Sequence, residues 1–169
     1  MAYPIERKMV IAIVPMHYDQ KQPRVLKMPL NPQAAQDALL ALARALNTIK
    51  DYPFVADEPL SALQETLRAG VIQQFEVAYE QCWKLLQRWI KENIDPEQAE
   101  HPRTRKDLFR LAAQHRLIDD PMPWFAFGDA RNLTSHTYNE ETAQQVFVIA
   151  QDFLPHAQFL LSRLNDANT

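Results

Sequence analysis

The sequence predicts an all-α helical bundle preceded by a short extended or β-strand arm, and three observations carry that prediction. Only two glycines, Gly70 and Gly128, occur in 169 residues. A β-sandwich or a doubly wound α/β fold needs more for its turns and loops. Ala, Leu, Gln, Glu and Arg dominate after position 33, and these residues favour helix. Beyond that point apolar residues recur at three- and four-residue steps, the spacing of one helical face. A hydrophobic fraction of 47% in a chain of this length supports one domain with a real core and excludes a disordered chain.

Residues 1–32 stand apart. Pro4, Pro15, Pro23, Pro29 and Pro32 exclude a long helix there, and Val10-Ile11-Ala12-Ile13-Val14 leans towards a strand. A strand, an arm wrapping a partner chain and a weakly ordered extension all fit this segment. The folded domain is assigned to residues 33–166.

The first helix starts at Gln33, with Ala35, Ala38, Leu39, Leu42, Ala45, Leu46 and Ile49 on one face. Pro53 and Pro59 bracket the connection to a second helix, expected from Leu60 to Asn93. Its apolar set runs through Leu63, Leu67, Val71, Phe75, Ala78, Cys82, Leu85 and Trp89, with Ile72, Tyr79, Trp83, Leu86 and Ile90 beside them. A stripe that wide needs two partners, so bundle packing plus a subunit interface is expected. Pro96 and Pro102 mark the next break. Thr104 suits the N-cap of a third helix carrying Leu108, Phe109, Leu111 and Ala112. Asp120-Pro121 opens a fourth, which carries Trp124, Phe125 and Phe127 and ends near Arg131 and Asn132. Asn139, followed by Glu140 and Glu141, opens a fifth, which Pro155 is expected to kink or divide.

Net charge is −3, so no global basic field announces nucleic acid, although a local basic cleft stays open. The single cysteine, Cys82, cannot form an intrachain disulfide and reads as a buried, inert thiol. No secretory signal and no membrane-spanning stretch is evident, which makes a cytoplasmic protein the expectation.

One octet concentrates reactive chemistry: Arg131-Asn132-Leu133-Thr134-Ser135-His136-Thr137-Tyr138. Arginine offers a planar fork of donors that suits phosphate oxygens. Histidine gives and takes a proton near neutral pH. Taken alone, R-x4-H is more often an ordinary helix end. Its position at a junction between predicted helices, where backbone and side-chain groups are exposed together, raises its weight.

The chain also carries Leu67-Arg68-Ala69-Gly70-Val71-Ile72-Gln73-Gln74-Phe75-Glu76 and Tyr79-Glu80-Gln81-Cys82-Trp83-Lys84. Further along come Leu117-Ile118-Asp119-Asp120, Trp124, Asp129-Ala130 leading into the octet, and Glu140-Glu141-Thr142-Ala143. In these segments it resembles the HEPN superfamily, in the branch of nucleotidyltransferase substrate-binding proteins related to HepT-like ribonuclease toxins. The likeness covers residues 33–164. It implies an antiparallel four- or five-helix up-and-down bundle that forms a homodimer, with two copies of the motif near the dimer cleft. It implies a separate minimal nucleotidyltransferase as partner, in a toxin–antitoxin-like pair. In toxin members the matching Arg131 and His136 carry RNA cleavage, and the matching Tyr138 receives AMP. Cys82 and Phe125-Ala126-Phe127-Gly128 depart from the family pattern, and residues 1–32 lie outside it.

Metal-free RNA cleavage needs a base for the 2′-hydroxyl and an acid for the leaving oxygen. One His136 per chain serves both poorly, whereas a two-fold dimer supplies two. Arg131 would stabilise charge on the phosphorane oxygens. Asn132 lies four residues before His136 and reads either as an orienting or substrate-contacting group or as a helix C-cap. Tyr138 reads either as an exposed AMP acceptor or as a packed aromatic. Glu76, Glu80 and Lys84 fall at four-residue steps. A solvated face is the ordinary reading; the sharper one pairs Glu76 or Glu80 with Arg131 across the bundle and fixes its fork. No metal site and no cofactor is expected, since no further His or Asp stands at ligand spacing. His17, His101, His115 and His156 read as isolated polar residues, and Trp83, Trp89 and Trp124 as core or interface anchors. Arg103, Arg105, Lys106 and Arg110 read either as a charged helix start or as a cluster for RNA phosphates or an acidic partner. Two functions remain open: a substrate-binding and regulatory partner of a nucleotidyltransferase, and a metal-independent endoribonuclease, with RNA or a nucleotide as ligand.

Overall fold

In the computed structural model the described residues are 30–55, 58–94, 104–134 and 139–167. They form α1 (Gln33–Lys50), α2 (Ala62–Asn93), α3 (Arg105–Gln114), α4 (Pro121–Thr134) and α5 (Glu140–Ala167). The expected N-terminal arm lies outside the described residues up to position 29. Leu30, near the end of that arm, is buried in the core.

Local chemistry sets the helix starts. Ser61 and Gln64 make a reciprocal capping box at α2: the Gln64 N–H donates to Ser61 Oγ, and the Ser61 N–H donates to Gln64 Oε1. Thr104 Oγ1 accepts from the Asp107 N–H at the start of α3. Asp120 Oδ1 accepts from the Met122 N–H, with Pro121 as the first residue of α4. Asn139 Oδ1 accepts from the Thr142 N–H at α5. Each side-chain cap is worth about 1 kcal/mol. α3 ends differently. Arg116 takes a left-handed conformation at φ 58°, while the Arg116 and Leu117 N–H groups return to the carbonyls of Ala113 and Ala112. This is a Schellman-type stop with arginine where glycine is usual. The buried Leu117 anchors it, and Arg163 Nε donates to the Arg116 carbonyl.

α2 is the hub, packing against all four other helices. Asn31, Ala34 and Ala35 face Gln81, Leu85 and Arg88, so the start of α1 meets the second half of α2 and the two run antiparallel. Arg131 and Thr134 of α4 reach Glu80 and Glu76 in reversed order, so α4 is also antiparallel to α2. Arg68 meets Glu140, and Phe75 and Tyr79 meet Phe153, so α5 runs parallel to α2. The four long helices therefore alternate up and down, with short α3 laid across the connection from α2 to α4.

The core is densely aromatic around Phe153, which is fully buried. Its ring lies 5.2 Å from Phe75, 5.7 Å from Trp124 and 5.2 Å from Phe127, all edge-on. Such T-shaped pairs add about 0.5–1.5 kcal/mol each beyond the burial of area. Cys82 is buried as expected, and desolvation pushes its thiol up to about 12.

Two local expectations are corrected. α5 passes through Pro155 undivided; the residue is exposed, where water can meet the carbonyl it leaves without an amide partner. Leu63 lies on the outer side of α2, half exposed, while Arg68 is buried. The wide stripe of α2 packs against the other four helices of the same chain.

Candidate functional site

The Arg131 end of α4 lies across α2. Arg131 Nε forms an ion pair with Glu80 Oε1 at 2.9 Å, with both side chains partly exposed. The same Glu80 oxygen accepts from Arg105 Nη1 at 3.0 Å. One carboxylate thus braces two guanidiniums from two helices. This is the cross-bundle pairing the octet demands, made by Glu80 rather than Glu76. Glu76, one turn earlier, accepts from the Thr134 hydroxyl. That hydroxyl also lies 2.8 Å from the Arg131 carbonyl, so the end of α4 is tied both to itself and to α2. His136 and Tyr138 lie outside the described residues.

A second tether stands on the far side of the octet. Arg68 donates through both Nη atoms to the two Glu140 oxygens, each at 2.6 Å. The Arg68 side chain is 4% exposed and that of Glu140 71% exposed. The side-chain hydrogen bonds from Arg68 hold the Glu140 carboxyl below its usual range. Arg68 and Glu140 are site residues that inspection of the sequence did not single out. A signal was present: Arg68 falls on the stripe of Ile72, Phe75 and Tyr79, which places a charge on the buried face. Thr134, the donor to Glu76, carried no comparable signal.

The basic cluster resolves into pairs. Arg105 engages Glu80 and lies over Trp83, 5.1 Å from the ring centre. Arg110 pairs with Asp107, and Lys106 with Asp129. Arg103 lies outside the described residues. Asn132 is exposed and lines a cavity of about 270 Å³ between α2, α3 and α4. α4 continues two residues past Asn132, so the amide does not stand at a helix cap. Among the described residues no group of three or more His, Cys, Asp or Glu is placed to hold a metal ion. No helix among them is long and apolar enough to cross a membrane.

The fold and this junction define a class: an up-and-down helical bundle whose fourth helix ends in an arginine braced by a carboxylate of the central helix. Comparison with known proteins places the chain within that class. The family model described as "Nucleotidyltransferase substrate binding protein like" matches residues 30–166. A Haemophilus influenzae protein named "Probable ribonuclease HepT" is 35% identical over 139 residues, covering 82% of this chain and 94% of that protein. A solved Haemophilus influenzae structure, described as revealing the fold of a substrate binding domain of a nucleotidyltransferase, superposes with a TM-score of 0.70 at 35% identity. It covers 80% of this chain and 99% of that one. The chain belongs to the nucleotidyltransferase substrate-binding protein-like family.

Proposed function

We propose that this chain is the substrate-binding and regulatory partner of a separate minimal nucleotidyltransferase, acting as a homodimer in a cytoplasmic toxin–antitoxin-like pair, with Tyr138 as an AMP acceptor. The family match across residues 30–166 carries this reading. The two tethers support it. Thr134 on Glu76 and Glu140 on Arg68 fix the chain on either side of residues 135–138, so a modifying enzyme meets a segment with anchored ends. In the transfer, the Tyr138 phenol oxygen bonds to the α-phosphorus of ATP, the bond to the β-phosphate bridge breaks, pyrophosphate leaves and the phenol proton passes to solvent. Incubation with the nucleotidyltransferase and ATP should add an AMP mass to the chain. Absence of that increment, or its survival in Tyr138→Phe, refutes the acceptor assignment.

A second reading is a metal-independent endoribonuclease. The 35% identity to a protein named as a probable ribonuclease favours it, as does the brace on Arg131. Glu80 fixes one edge of the guanidinium, which orients a donor fork for a phosphodiester. His136 from each subunit of a dimer would supply the base for the 2′-hydroxyl and the acid for the leaving 5′-oxygen. Single-stranded RNA incubated in EDTA should be cut by the parent and spared by Arg131→Ala and His136→Ala. RNA left intact by the parent removes the enzyme reading.

A further inference from the structure

The cavity between α2, α3 and α4 is not used by either reading. Its volume is about 270 Å³, just under the usual range for a small-molecule site and suited to one flat ring system rather than a long ligand. Tyr79, Phe109 and Trp124 line it from the core side, each almost fully buried, and Phe125 is half-buried beside them. At its mouth stand Asp129 and Asn132, one helical turn apart on α4.

Three features point to a ligand. First, the Tyr79 hydroxyl is buried beside the Arg105 guanidinium, which points a donor towards its oxygen, and no acceptor for its own proton is found among the described residues. It lies against Gly128, another residue of the cavity wall. A buried donor without an acceptor carries a desolvation cost that a ligand acceptor recovers. Second, two cations of α3 lie over the Phe125 ring, Lys106 Nζ at 5.5 Å and the Arg110 guanidinium at 5.1 Å from its centre. Aromatic faces beside cations are the recurring platform for single-stranded nucleic acid bases. Third, among the described residues Asp129 meets Lys106 in an exposed contact at 3.4 Å. A carboxylate has about four acceptor positions, so Asp129 keeps capacity for an amino group. Phe125 and Gly128 belong to the segment that departs from the family pattern, and both contribute to this wall. Arg105 joins the cavity to the motif, since it lines the one and shares Glu80 with Arg131 of the other.

We propose that this cavity is a nucleobase subsite, taking a base with an exocyclic amine that stacks on Phe125 and donates to Asp129. It rests on the nucleotide-handling role proposed above and adds a place for the base. The source of the base, a mononucleotide or single-stranded RNA, is read from the test. The full chain is titrated with AMP, with purine riboside 5′-monophosphate, which lacks only the amine, and with short oligoadenylate and oligouridylate. AMP or oligoadenylate should bind saturably, and the tighter of the two names the source. Phe125→Ala should weaken it by about tenfold or more, the scale of one lost base stack. Phe125→Leu, which keeps apolar bulk, should lose a similar factor while melting like the parent. Asp129→Ala, which removes the acceptor, should abolish the preference of AMP over the amine-free nucleotide. No binding by the parent, or binding that all three variants retain unchanged, overturns the subsite. Retained binding with AMP transfer to Tyr138 overturns the subsite alone. Variant-sensitive binding without any transfer supports the subsite and removes the acceptor role instead.

Discussion

Replacing Gly128 with alanine should destabilise the protein, and should stabilise it once the Tyr79 hydroxyl is gone. A Cβ at position 128 would stand 2.8 Å from Tyr79 Oη and 3.6 Å from Cζ. The first distance is a clash and the second ordinary contact. On its core side Tyr79 is hemmed in, because its ring is fully buried with Phe75, Phe109 and Phe153 about it at 6.3, 6.3 and 6.2 Å. Overpacking of this kind costs about 1–3 kcal/mol. Alanine in place of glycine inside a helix returns about 1 kcal/mol. The net effect of Gly128→Ala in the parent is therefore a loss of about 0–2 kcal/mol. In Tyr79→Phe the clashing oxygen is absent, only the helical gain remains, and Gly128→Ala should add about 1 kcal/mol. Urea unfolding of the parent, both single variants and the double variant, followed by circular dichroism, gives the coupling directly. The expected coupling is about 1–3 kcal/mol. A coupling below about 0.5 kcal/mol, the level of independent sites, would refute the close-approach argument.

Phe153→Ala should cost about 3–5 kcal/mol in urea unfolding, since it empties the centre of the aromatic cluster. A loss under 1 kcal/mol would mean the cluster does not hold the bundle. Arg116→Gly should raise stability by about 1 kcal/mol by relieving a left-handed arginine; a lower midpoint would instead make the Arg116 side chain itself important. Glu140 has a folded pKa below its unfolded one. Its pairing with Arg68 therefore stabilises the fold above the ordinary carboxylate pKa and is lost as pH falls through the depressed value. Glu140→Gln should flatten the acid limb of the stability–pH curve, and an unchanged limb would discount the tether.

The sequence makes the helix starts legible because they are local events. Thr104, Asp120-Pro121 and Asn139 each satisfy nearby amides with their own side chains or ring. The brace on Arg131 was legible because a permanent charge pressed against a bundle calls for an opposite one, and Glu76 and Glu80 were the near carboxylates. Which of the two it takes depends on how far α4 descends along α2, and no local pattern encodes that depth. Leu63 and Arg68 were exchanged for a related reason. On a helix with neighbours on several sides, periodicity marks a broad apolar arc but not its edges. Pro155 leaves α5 undivided because proline's penalty falls on a carbonyl that water can reach here. His136 and Tyr138 rest on the motif and the family likeness rather than on any described contact.

Arg68, Glu76 and Glu80 all stand on one continuous helix, and between them they grip both flanks of the octet. At 1.5 Å of rise per residue, the two gripping points at Arg68 and Glu76 are about 12 Å apart along the axis. α2 is in this sense a gauge block: the separation of the points that hold Thr134 and Glu140 is set by counting residues on a different element. A single insertion between Arg68 and Glu76 would turn one grip about 100° from the other. A variant that changes the residue count from Arg68 to Glu76 would therefore displace one anchor from the other with every residue of the octet intact.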